Sequence, residues 1–132
     1  MKTIPAALVL CSVLLASASV AAGAEVIESS ELRKAFADDS KAAETRYLGK
    51  TILVNGIVLA TGMSVYMTPN VTLSDREGGE VQVICVLPRL DAGKLADFTP
   101  GRRVTMSGKV YRLSERGVVL KECKAEAGQK KE

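Results

Sequence analysis

Two cysteines, Cys85 and Cys123, are the side chains in this sequence best suited to covalent chemistry. They lie 38 residues apart, which is not the C-x-x-C spacing of a thiol oxidoreductase. The cations nearest in sequence that could depress a thiol pKa are Lys121 and Lys124. Two thiolates fall short of the four ligands of a closed zinc site, and the 132 residues contain no histidine. That absence removes His-based triads and His general bases, and leaves Ser64 and Ser114 without an activating partner. Asp38 and Asp39 are adjacent, so on a helix they point apart and cannot act as an acid/base pair. No phosphate loop or metal-ligand spacing is present. These residues predict a non-catalytic protein with no metal and no cofactor. The other chemistry on offer is recognition: Tyr66 and Met67 in a turn-rich segment, and Arg112, Arg116 and Lys121 near the C-terminus.

The N-terminus bears on where this chemistry takes place. Met1-Lys2-Thr3, an apolar run from Ile4 to about Ala18, and Ala22-Gly23-Ala24 have the order of a cleavable secretory signal peptide. Cleavage after Ala24 leaves 108 residues, one small domain, and predicts a periplasmic or secreted protein. Cys11 is preceded by Leu10, where lipidation requires a small residue, and this argues against a lipid anchor. An even pair of cysteines in an exported domain predicts a Cys85–Cys123 disulfide. Loss of Lys2 with the leader leaves 17 basic against 15 acidic groups. The charge is uneven: residues 25–101 carry 8 basic and 11 acidic groups, and residues 102–132 carry 9 and 4. The last third is therefore a modest cationic face.

Residues 29–48 read as a helix, with Ser29 or Ser30 as N-cap and Gly49 as the C′ residue. Leu32, Ala35, Phe36, Ala43 and Tyr47 share one face, and Asp38-Asp39-Ser40 can break or recap the helix midway. The period then changes to two. Strands are predicted over 51–60, 71–74, 81–87, 103–111 and 117–123, with a short helix from Asp91 to about Phe98 between the third and fourth. Three strands, a helix and two strands is the chain order of the five-stranded OB-fold Greek-key barrel, here preceded by an N-terminal helix, with an open α+β sandwich as the alternative. Gly56 and Gly108 inside long strands suit the bends such a barrel needs. The third and fifth strands of this barrel run parallel, which would set Cys85 beside Cys123 at matching height. A domain over 25–125 is followed by a polar tail at 126–132. OB barrels bind on the face of strands two and three, flanked by the 1–2 and 4–5 loops. Here those loops are 62–70, with Tyr66 and Met67, and 113–117, bracketed by Arg112 and Arg116.

The chain resembles the exported tRNA-anticodon-binding-like OB-fold family of small bacterial envelope proteins. The resemblance rests on Tyr47-Leu48-Gly49-Lys50, Val54-Asn55-Gly56-Ile57-Val58, Val71-Thr72-Leu73, Cys85, the run from Gly101 to Val110, and Leu120-Lys121-Glu122-Cys123. It implies an envelope OB module, and the family name records a likeness of fold to nucleic-acid binders. The favoured partner is an unidentified envelope protein, peptide or glycan. Single-stranded nucleic acid is the alternative, with Tyr66 and Tyr111 as the candidate stacking residues.

Overall fold

Residues 26–126 are described by the computed structural model; the expected leader (1–24) and the residues after 126 lie outside them. Val26–Glu28 (β1) pairs in parallel with Leu53–Asn55. Three residues are too few to show a period, so the sequence pattern does not announce this strand.

The helix expected over 29–48 is two helices, Ser29–Asp38 (α1) and Ser40–Tyr47 (α2). Asp39 leaves helical geometry (φ −159°, ψ 89°), and its carboxylate accepts the Ala42 N–H at 3.1 Å, so the acidic interruption does recap the chain. Ser29 is not an N-cap. Glu28 holds that position without a side-chain bond, while the buried Ser29 hydroxyl donates to the Ser74 carbonyl at 3.2 Å. Leu32, Phe36 and Ala43 are buried, and Ala35 and Tyr47 pack beside them, as the helical spacing predicts. Gly49 has φ +78°, the left-handed conformation of a helix-terminating glycine.

The remaining strands are Thr51–Met63 (β2), Pro69–Ser74 (β3), Val83–Val86 (β4), Arg103–Leu113 (β5) and Val118–Ala125 (β6). Their order is β2-β3-β4-β6-β5, and β5 pairs back onto β2, so the sheet closes into a five-stranded barrel. β4 and β6 run parallel and the other barrel pairs are antiparallel. Of the inward set given by alternation, Val71, Leu73, Val83, Cys85, Leu87, Val104, Met106 and Val110 are buried, whereas Val81 precedes β4 and is half-buried. The helix expected from Asp91 is a 3-10 segment, Arg89–Asp97, preceded by Pro88, in which Asp91 pairs with Lys94 at 3.5 Å instead of capping. α1 lies against β2, β3, β4 and β6, and Phe98 is buried after the 3-10 segment.

Two β-bulges shape the β5–β6 pair. Ser107 faces Lys124 and Lys109 faces Lys121, so β6 has one extra residue there, at Glu122, whose φ is +54°. Val110 faces Leu120 and Arg112 faces Val119, which places an extra residue on β5 at Tyr111. Each bulge turns two successive side chains outward, Lys121 with Glu122 and Tyr111 with Arg112, and all four are exposed.

Candidate functional site

The loop after β2 is built around Ser64. Its Oγ accepts the Tyr66 and Thr68 N–H groups at 3.1 and 3.2 Å, and its N–H donates to the Thr68 carbonyl at 2.9 Å. This short-range network, with Met67 at φ +64°, drives the apolar side chains outward. Val65 is 88% exposed, Tyr66 76% and Met67 61%, with Met63 also exposed. Arg89 Nη2 donates to the Tyr66 carbonyl at 3.2 Å, which joins the loop to the 3-10 segment and to Leu90, 96% exposed. Tyr66 and Met67 therefore sit in an apolar tip and do not plug the barrel. Leu90 and Val65, which share this tip, were not signalled by the sequence pattern. Leu90 becomes part of it through the Arg89 contact, which has no local signature.

The strand register places the two expected binding loops. Asn70 pairs with both Gly62 and Val86, so the tip stands at the end where β3 begins. Leu73 pairs with Val83, Val83 with Val118 and Val118 with Leu113, so the 114–117 hairpin stands at the other end. Between them, alternation turns Asn70, Thr72, Ile84 and Val86 away from the core, an uncharged strip with no aromatic ring in which Asn70, Ile84 and Val86 are half-buried and Thr72 is buried, its hydroxyl donating to the Ala60 carbonyl at 3.2 Å. The predicted site residues do not converge on one point. Arg112 and Lys121 come together through Tyr111, whose ring centroid lies 5.7 Å from the Arg112 guanidinium carbon and 3.9 Å from Lys121 Nζ. Arg116 is on the hairpin, its N–H donating to Ser114 Oγ.

A cavity of about 330 Å³ lies between the 3-10 segment, the start of β5 and the end of β6. Buried Leu87, Phe98 and Val104 supply its apolar wall, and Asp91, Lys94 and Lys124 are at its edge. Among the described residues no cluster of ligating side chains could hold a metal ion.

Cys85 and Cys123 are both fully buried and stand as two thiols, not as the expected disulfide. The register also differs from the expected one. Cys85 pairs with Leu120, three positions before Cys123, so the two are not at matching height. Cys123 still points inward because the Glu122 bulge reverses the alternation after Leu120. The two side chains meet inside the barrel. A hydrogen bond to Cys123, reinforced by burial, pushes the Cys85 thiol well above its ordinary range.

This barrel, with its closure of β5 on β2, its parallel β4–β6 pair and its paired loops, is an OB fold, a class of binding modules. The sequence matches the tRNA_anti-like family over residues 10–124, and the chain belongs to that family of binding-type OB-fold proteins. Its fold is similar to that of a lipoprotein from Klebsiella pneumoniae with a proposed nucleic acid-binding role (TM-score 0.66, 16% identity, 78% of this chain and 92% of that one). It is also similar to part of a proposed aspartyl-tRNA synthetase from Leishmania major (TM-score 0.53, 14% identity, 81% of this chain and 21% of that one). None of the curated proteins compared matches the sequence. No helix among the described residues is long and apolar enough to cross a membrane.

Proposed function

We propose that this chain is an exported, non-catalytic module that holds an envelope protein or peptide on its β3–β4 face. The observation that carries the reading is the apolar tip of Val65, Tyr66, Met67 and Leu90, which stands at one end of an uncharged strip. Several exposed apolar side chains gathered in one loop of a small domain mark an interaction surface, and Met with Tyr supplies adaptable contact area. The cavity beside the 3-10 segment can take an anchoring side chain of the partner. A glycan would need more ring surface than Tyr66 alone offers. Single-stranded nucleic acid is the competing reading, and the Klebsiella lipoprotein's proposed role is in its favour. The strip, however, has neither cations for phosphates nor rings for bases.

The test places a photocrosslinking residue at Tyr66 and, as control, at Arg116 on the far hairpin. A discrete adduct in cells from position 66, lost when Met67 and Leu90 are changed to Ala, supports the reading; no adduct at 66 overturns it. Export rests on the basic start, the apolar run and Ala22-Gly23-Ala24. Intact mass of the protein from its host tests it: a chain beginning at Glu25 supports export, and an unprocessed chain refutes it. The same measurement, with and without reduction, reports whether an oxidising compartment joins the two hydrogen-bonded thiols.

A further inference from the structure

The outer face of β5 and β6 presents a set of cations that the fold itself does not neutralise. Lys109 and Lys121 are directly opposed across the two strands. Like charges at opposed positions destabilise a sheet, and neither lysine makes an ion pair with any described residue. Lys124 follows on the same strand, and Arg112 is turned outward by the Tyr111 bulge. The nearby carboxylates, Glu115 and Glu122, are exposed and bridge to none of these cations. At the centre lies Tyr111, 48% exposed, with Lys121 Nζ against its ring. Alternation turns Tyr111 and Lys121 to this surface, and the β5 bulge adds Arg112, which would otherwise point inward; bulges of this kind re-aim side chains at functional positions.

We infer that this face docks onto an anionic lipid bilayer. The surface is the open side of a sheet, not a groove, so it suits a planar array of charges better than a single strand of nucleic acid. A cation of the chain itself already occupies the Tyr111 ring, which counts against base stacking. Lysines predominate, acting as point charges without the bidentate fork by which Arg selects one phosphate, and a half-exposed Tyr suits the headgroup level. This inference does not depend on the partner proposed for the β3–β4 face.

The experiment measures partition of the full chain onto vesicles of phosphatidylcholine alone and onto vesicles mixed with phosphatidylglycerol, at low and high salt. The neutral vesicles report any binding by the apolar N-terminal run. The expected result is tighter binding to the anionic vesicles, abolished by salt. Lys121→Glu removes one positive charge and adds a negative one, and at roughly fivefold per charge should weaken that binding about 25-fold. Because the new carboxylate would face Lys109, its thermal midpoint should be unchanged or higher. Lys109→Gln should give about a fivefold loss and serves as the second variant. Equal binding to both vesicle types, or undiminished binding by both variants, overturns the inference. So does salt-sensitive binding of a single-stranded oligonucleotide that both variants lose while anionic vesicles go unbound.

Discussion

Gly108 shows how closely this barrel is packed at single positions. A Cβ there would lie 2.7 Å from Cys123 Sγ and 3.0 Å from Leu120 side-chain atoms. Gly108→Ala should therefore cost about 1–3 kcal/mol by overpacking. Gly93→Ala, with nothing within 4 Å, should be neutral or stabilising by about 0.4–1 kcal/mol. Urea denaturation of the pair checks this, and a Gly108→Ala chain as stable as the parent would refute it. Cys85 supplies a pH dependence in the reduced protein. Its folded thiol loses its proton at higher pH than the ordinary 9.0, so above that value the unfolded chain releases a proton that the folded chain retains. The contribution is full below about pH 9.0 and is lost as pH rises toward the folded value. Stability should thus fall on the alkaline side in the parent, with a shallower fall in Cys85→Ala, as followed by denaturant midpoints from neutral to alkaline pH.

At the scale of elements, the junction between α1 and α2 depends on one side chain. Asp39→Ala removes the acceptor of the Ala42 N–H and should cost about 0.5–2 kcal/mol, with Asp39→Asn retaining most of it. Circular dichroism through a urea titration reads the loss; equal midpoints for Ala and Asn would show that the cap contributes nothing. The sequence makes this break visible because Asp38-Asp39-Ser40 interrupts the apolar spacing. Most barrel strands are legible for a similar reason: Val104, Met106 and Val110 alternate with polar neighbours for the length of β5. What alternation does not encode is a change of phase. From Val118 and Leu120 a strict period of two would bury Glu122 and expose Cys123, whereas the bulge exposes Glu122 and buries the thiol. The same limitation hides register, which sets Cys85 against Leu120 and not against Cys123. It also hides the place of Arg112, which a strict period of two would turn inward after Val110 and which the β5 bulge sets outward beside Tyr111 and Lys121.

At the scale of the whole molecule, recognition is separated from stability. The apolar tip contributes little to the core, since Val65, Tyr66, Met67 and Leu90 are all largely exposed. Tyr66→Ala combined with Met67→Ala should leave the thermal midpoint within the shift expected of about 0.5 kcal/mol while abolishing partner capture. A large drop in midpoint would show that the tip is structural. The placement of β6 has a different kind of consequence. The last strand among the described residues is not at an edge: it lies between β4 and β5 and completes the ring. Until residues 118–125 have left the ribosome, β4 and β5 both keep an unpaired edge and the barrel cannot close. Synthesis thus acts as a timer on folding. The barrel remains unclosed, and β4 and β5 open to other partners, until that strand is made.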